Sequence, residues 1–443
     1  MKDQRWNFFP SFSLGWNVAR ENFWKPLESV VNQFKLRGSW GELGNQNTSN
    51  LYPFYEILPV KSNSGNWLVN GGKTNTADIP SLVSTLLTWE RVRSFNVGFD
   101  FGAFSNRLTG SFDYFVRKTV DMVGPAPQLP LVLGIAPAIV NNADLKSYGF
   151  EIELSWRDRI GEVDYGVEFN LADAQQKVVK YPNTTNAFSD WYAGKMSGEI
   201  WGYTSLGIAK TDEEMKEHLA SLPNGGQNQL GNKWGAGDIM YADINGDGKI
   251  DGGKGTLADP GDQRIIGNST PRYNFGLVLD ASYKGFDVSI FFQGVGKRDY
   301  APIVGTNGAV FWGAVNNIWQ SMAMEEHFDY FRPEGHPMGA NLNGYYPRPD
   351  FTSNKNHQVQ TRYLQDASYI RLKNLQIGYT LPKQWINKLH INRCRVYVSG
   401  DNLWTGTSLA SMFDPETLAA GDWGSGKTYP LSKVISFGLN VNF

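Results

Sequence analysis

Cysteine and histidine are scarce: the 443 residues carry one Cys, Cys394, and five His. A disulfide framework and a Cys/His zinc site are therefore excluded as organising devices. Cys394 falls on the apolar side of a strand pattern and reads as a small hydrophobe. An excess of charge of either sign is equally lacking. The 41 basic and 43 acidic residues leave a net charge of −2, which shows no footprint for nucleic acid or an anionic membrane surface. No stretch approaches the ~18 apolar residues of a membrane helix. The nearest, Leu129 to Val140, is interrupted by Gly134 and Pro137. No secretory leader opens the chain, so an exported protein of this sequence is expected to lack its N-terminal part. GxSxG, P-loop and HExxH motifs are missing, which leaves no enzyme reading with a motif behind it.

What is plentiful is glycine, at 48 residues, and aromatics, at 14%, in a chain whose mean hydropathy is only −0.38. That balance suits long strands with two unlike faces. From Tyr429 to Phe443 the odd positions include Leu431, Ile435, Phe437, Leu439, Val441 and Phe443, and the even ones Ser432, Ser436, Gly438, Asn440 and Asn442. Successive side chains of a strand point to opposite faces, so this segment has one apolar and one mostly small, polar face. A strand crossing the hydrocarbon layer needs about 9–11 tilted residues, longer than the usual roughly five or six. The same alternation recurs at Phe8–Val18, Phe34–Gly41, Trp89–Phe101, Leu108–Val116, Tyr148–Trp156, Tyr165–Leu171, Tyr273–Tyr283, Phe286–Phe292, Leu375–Leu381 and Cys394–Val398. About eleven segments result. Glu151, Glu153, Asp113, Asp280 and Asp287 all lie opposite the apolar series, as a polar lumen permits.

Alternation alone does not separate a membrane barrel from a soluble sandwich, because both have one apolar face. The connections do. Short ones (102–107, 158–164, 284–285, 382–390) alternate with long ones (42–88, 121–147, 178–270, 294–368, 404–427). A barrel in an outer membrane has short periplasmic turns and longer extracellular loops, whereas a sandwich has no reason to gather its long loops at one end. The expected fold is thus all-β, a transmembrane antiparallel β-barrel. Because single-chain bacterial barrels close with an even number of strands, about eleven implies part of a larger one.

Several segments resemble the SusC/RagA family of TonB-linked outer-membrane transporters. They are Phe8-Phe9-Pro10-Ser11-Phe12-Ser13-Leu14-Gly15-Trp16, Leu36-Arg37-Gly38-Ser39-Trp40-Gly41 with Gly44-Asn45-Gln46, and Ser105-Asn106-Arg107-Leu108-Thr109-Gly110. Tyr283-Lys284-Gly285-Phe286-Asp287, Ser368-Tyr369-Ile370-Arg371-Leu372-Lys373-Asn374-Leu375 and Ser399-Gly400-Asp401-Asn402-Leu403 continue the match in family order. The resemblance implies the C-terminal half of a 22-stranded barrel occupying residues 1–443, with signal peptide, N-terminal extension, plug and first barrel half absent. It implies uptake of oligosaccharides, in some members peptides, through the outer membrane. TonB is the expected energy source, reached through the missing N-terminal part, and a SusD-like surface lipoprotein the expected partner.

Two constellations could carry binding. Asp243-Ile244-Asn245-Gly246-Asp247-Gly248-Lys249-Ile250-Asp251, in the long loop 178–270, follows the first nine positions of a calcium loop. Asp243, Asn245, Asp247 and Asp251 supply side-chain oxygens and Lys249 its carbonyl, giving a structural Ca2+ as the expected cofactor. The departure is Lys254 at position twelve, for which Asp259 or Asp262 could substitute; the competing reading is a metal-free Asx turn. The loops also hold Trp191, Trp201, Trp234, Trp312 and Tyr345, with Trp67, Trp319, Tyr346 and Trp423. Aromatic faces stack on sugars, but packing within loops is the commoner reason for them. The competing function is a secreted calcium-dependent β-sandwich that binds glycans.

Overall fold

The computed structural model describes residues 6–45, 55–80, 82–84, 87–124, 132, 134–135, 137–302, 309–313, 323–350, 354–387, 390–418 and 428–443. Gln46, Leu129, Trp319 and Trp423 lie outside these. Eleven strands form one antiparallel sheet in strict sequence order. They are β1 Ser11–Asn17, β2 Val31–Asn45, β3 Glu90–Ala103, β4 Leu108–Val123, β5 Asn141–Ile160 and β6 Val163–Lys180, followed by β7 Arg272–Tyr283, β8 Phe286–Lys297, β9 Tyr369–Thr380, β10 Arg393–Thr407 and β11 Val434–Asn442. All eleven alternating segments of the sequence are strands. Among the described residues, β1 and β11 each pair on one side only.

Register places the apolar series on one surface. Leu36 lies opposite Phe99, Phe99 opposite Phe112, Phe112 opposite Ile152, and Ile152 opposite Leu171, a lateral row across five strands. Because the side-chain period is two, fixing one such pair assigns a face to every residue of both strands. On that face large hydrophobics stand exposed, among them Phe12, Leu14, Phe95 and Val97, with Leu439 at 64% and Phe437 at 85%. Apolar surface on this scale has no place in water and is what a lipid-facing wall requires.

The tight turns gather at one end of the sheet. Lys284 and Gly285 join β7 to β8 with φ of 46° and 91°, the doubly left-handed pattern of a two-residue hairpin. A Cβ on Gly285 would also stand 2.8 Å from the Thr380 carbonyl. At the other end the strands outrun the sequence pattern. β4 continues to Val123, β5 starts at Asn141, β6 continues to Lys180 and β10 to Thr407. β11 is shorter than its pattern and begins at Val434, after Pro430, which has no N–H for a ladder.

The buried core is not in the sheet but in the long connections. Tyr203, Ile239, Tyr241 and Ile250 from residues 181–271 pack with Phe311, Trp312, Tyr346 and Tyr363 from 298–368, and with Leu409, Phe413 and Leu418. Three loops therefore share one core. A buried carboxylate clamps two of them. Asp238 accepts from Arg348 Nε at 2.7 Å and Nη2 at 2.6 Å, from Lys355 Nζ at 2.9 Å and from Asn356 Nδ2 at 2.9 Å. Lys355, itself 1% exposed, also donates to the carbonyls of Asn232 and Lys233.

Placing Arg at Ile152 should lower barrel stability by roughly 2–4 kcal/mol, and Arg at Glu151, one residue away, by far less. Denaturant titration in lipid vesicles reads the difference, and equal losses would contradict the assigned faces. Asp238→Ala removes the nearer carboxylate of buried Lys355, leaving Asp350 at 3.8 Å, and should destabilise the loop layer by about 3–5 kcal/mol. Limited proteolysis should then cut both 181–271 and 298–368, whereas cleavage confined to one loop would show that the clamp does not couple them.

Candidate functional site

Two surfaces could meet a ligand: the inner wall of the sheet and the loop layer above it. The inner wall is polar and cross-linked by ion pairs. Arg37 on β2 donates to both oxygens of Asp100 on β3, at 2.9 and 2.8 Å, and to both of Asp113 on β4, at 3.0 and 2.8 Å. Arg157 meets Glu168, and Arg395 meets Asp287 and Gln376. Glu151 and Glu153 are exposed on this same face. Such pairs tie strands that are adjacent or one apart while leaving a surface of alternating charge.

The Asp243–Asp251 segment closes on itself. Asp243 accepts from the N–H of Gly246 at 2.6 Å and of Gly248 at 2.8 Å, Asn245 from that of Asp247 at 3.0 Å, and Asp247 from that of Lys249 at 3.1 Å. Gly246 and Gly248 take φ of 76° and 78°, which only glycine adopts without strain. Asp262 staples the two ends of the loop, accepting from Ile244 N and Asp251 N at 2.8 Å each. Wholly buried, its carboxyl is pushed up from the usual carboxylate range by the loss of water. Its oxygens are turned to backbone N–H groups, so it does not stand in for a twelfth-position ligand. The Lys249 ammonium sits 2.5 Å from Asp251 Oδ2 and 3.8 Å from Asp247 Oδ2. Its hydrogen bond holds the Asp251 carboxyl below the usual range. Among the described residues no group of three or more His, Cys, Asp or Glu is placed to hold a metal. The donor set therefore fits a calcium ion in residue type only: Asp243, Asn245 and Asp247 turn oxygens to the loop's own N–H groups, and Asp251 is engaged by an internal cation.

The loop aromatics divide. Trp312 is fully buried at the centre of the loop core, so it is a packing residue and not a ligand-facing one. Tyr346, at 2% exposure, is likewise internal. Trp191, Trp201, Trp234 and Tyr345 are half-buried. Trp201 stacks on Phe188 at 4.5 Å, Trp191 meets Tyr181 edge-on, and Trp234 carries the Lys355 ammonium 5.0 Å over its ring. The Tyr345 hydroxyl accepts from Gln365 Nε2 at 2.9 Å, and burial pushes its pKa up. Trp67, in contrast, is 59% exposed. The Asp238 clamp has no sequence signal, since its partners lie 110 or more residues away. The same holds for Arg371, which joins β9 to Asp414 and Glu416.

Comparison with known proteins agrees with the geometry. Residues 2–403 match the family model described as TonB dependent receptor-like, beta-barrel. TonB-dependent receptor P3 of Formosa agariphila is 29% identical over the whole chain, which covers 42% of that protein. TonB-dependent receptor SusC of Bacteroides thetaiotaomicron is 23% identical, again over the whole chain and 40% of its own length. The chain thus spans less than half the length of these curated relatives. The solved RagAB peptide importer in its closed-closed state superposes with a TM-score of 0.74 at 22% identity, covering all of this chain and 44% of that one. An apolar outer wall, a charged inner wall and long loops folded at one end are what such a match requires: the chain belongs to the TonB dependent receptor-like β-barrel family, of SusC/RagA type, and its sheet lies in the bacterial outer membrane.

Proposed function

We propose that this chain forms the wall and external loop layer of an importer that carries oligosaccharides through the outer membrane. TonB is the energy source, and a SusD-like lipoprotein seats on the loops. One observation supports this reading most: the loops 181–271, 298–368 and 408–418 share a single buried core, so a preformed rigid surface overhangs a polar, ion-paired inner wall. A soluble glycan-binding sandwich would not leave Phe12, Leu14, Phe95, Phe437 and Leu439 exposed on one face. Peptides are the second cargo class, because RagAB, which superposes on the chain, is a peptide importer. Exposed and half-buried aromatics such as Trp67, Trp201 and Trp234 favour sugars, whose apolar faces stack on rings. Cells carrying the gene should take up fluorescent oligosaccharides only with TonB present. Uptake of labelled peptides with none of glycans would overturn the cargo, and uptake without TonB would overturn the mechanism.

The Asp243–Asp251 segment belongs to the same loop layer. Calcium here would be held by the side chains of Asp243, Asn245 and Asp247 and the carbonyl of Lys249, ordering the loop and taking no part in transport chemistry. Since the Lys249 ammonium competes for the same carboxylates, Lys249→Ala, which keeps the carbonyl, should tighten calcium binding several-fold. Asp247→Ala should abolish it and leave 181–271 open to protease, as a chelator should in the parent. Identical digestion of the parent with and without chelator leaves a metal-free turn.

A further inference from the structure

A net charge of −2 hides how the register arranges cations on the outward face. Arg93 lies opposite Lys118, Lys118 opposite Lys146, and Lys146 opposite Lys177. Four basic residues therefore stand side by side on β3, β4, β5 and β6, at lateral steps of about 5 Å. They share parity with the lipid-facing series. The next row toward the membrane is Phe95, Val116, Tyr148 and Gln175, then Val97, Tyr114, Phe150 and Asp173, whose carboxylate is taken by Arg272, and then Phe99, Phe112, Ile152 and Leu171. One row step is two residues, so the cations sit about 7 Å above Phe95, Val116 and Tyr148.

Like charges directly opposite on a sheet destabilise it, so such a row needs anions. The chain supplies only some. Glu42 contacts Arg93 at 3.0 Å and Arg91 at 3.7 Å, Asp121 contacts Arg91 at 2.6 Å, and Asp144 lies 3.7 Å from Lys118. Those three carboxylates face six cations once Arg91 and Lys180, the register partner of Asp144, are counted with the row. Among the described residues neither Lys146 nor Lys177 forms an ion pair; Lys146 lies 5.3 Å over the Tyr148 ring, and Lys177 is exposed. On the opposite face at this height Val92, Leu145 and Val178 are buried, so the outward side is the open one.

We infer that the Arg93–Lys118–Lys146–Lys177 row binds the phosphate groups of an outer-leaflet lipid headgroup. The position selects the occupant: an anion there must lie beside the wall, just above hydrocarbon, where lipid phosphates are and substrate is not. Basic residues at that depth attract anionic headgroups, and ammonium–phosphate contacts are charge-assisted hydrogen bonds. The inference rests on the outer-membrane location and is independent of the cargo.

The test uses the full-length chain extracted from outer membranes and placed in phosphatidylcholine nanodiscs. These contain diphosphorylated lipid A, the same lipid A with its phosphates removed, or neither. Native mass spectrometry counts retained lipid, and thermal melts follow the fold. The parent should retain the phosphorylated form preferentially. Lys146→Gln with Lys177→Gln should bind it roughly 30-fold more weakly, about fivefold per lysine. Arg at both positions should preserve binding, and Arg117→Gln, on the inner face of β4, should leave it unchanged. In phosphatidylcholine alone the double Gln variant should melt at or above the parent temperature, because repulsion is relieved; with phosphorylated lipid it should melt below. Equal retention by parent and double Gln variant, or equal retention of dephosphorylated lipid, would overturn the inference. Displacement by low-millimolar inorganic phosphate would make the row a free-anion site and overturn it as well.

Discussion

Backbone hydrogen bonding in hydrocarbon is the constraint from which the rest follows. An N–H or C=O facing lipid without a partner costs several kcal/mol, so a strand can cross only when both neighbours are in place. The uninterrupted order of the sheet satisfies this for β2 to β10 with sequence neighbours alone, while β1 and β11 each pair on one side only among the described residues. Each strand then has one face against acyl chains and one against water, and period-two alternation is the sequence trace of that requirement. The ladder is irregular between Thr119 and Val123 of β4, where the strand has already left the apolar rows, and also within them, between Phe291 and Phe292 of β8 against β9.

With the sheet's outer face given to lipid and its inner face to water, neither can supply a hydrophobic core of the ordinary kind. The core moves to the loops. Phe311, Trp312, Tyr346 and Tyr363 bury against Tyr241 and Ile239, and the Asp238 carboxylate locks the same two loops through Arg348, Lys355 and Asn356. Buried charge of this kind adds little net stability over an apolar substitute, but any docking that separates the two loops would leave the Asp238 carboxylate buried without its cations, which penalises alternatives. A surface that has to present the same face to a ligand or a partner gains from that restriction.

Strand existence was legible in the sequence because every membrane-crossing segment obeys one period, and the asymmetry of loop lengths gave the orientation. The strand ends were not. The pattern stops at Tyr148 on β5 and at Leu171 on β6, whereas the strands run on from Asn141 and to Lys180. The loop core was invisible for a different reason. Trp312 lies in a short apolar run, Ala309 to Val315, with no strand or helix period to assign it a face, and its burial comes from Tyr346, Tyr363 and His357, up to 51 positions along the chain. The Asp-rich turn was readable as a motif, but not the competition of Lys249 for Asp251, because calcium-loop spacing says nothing of where a seventh-position side chain points.

The lost strand ends have a physical cause. Below Tyr148 the outward residues are apolar and the inward ones polar: Phe150, Ile152 and Leu171 against Glu151, Glu153 and Asn170, the exception being Asp173 opposite Phe150, which is buried and ion-paired with Arg272. Above it the assignment inverts, with Lys146 and Lys177 outward and Leu145 and Val178 buried inward beneath the loop layer. The backbone and its register continue unchanged through Lys146–Lys177; what changes is the solvent on each side. Hydrocarbon gives way to headgroups outside, and lumen water gives way to folded loops inside. A period-two signal that reverses phase in mid-strand cancels in any window spanning the reversal, so the extension looks like loop. The reversal also marks the height at which the wall stops meeting acyl chains, set jointly by the belt outside and the loop core inside.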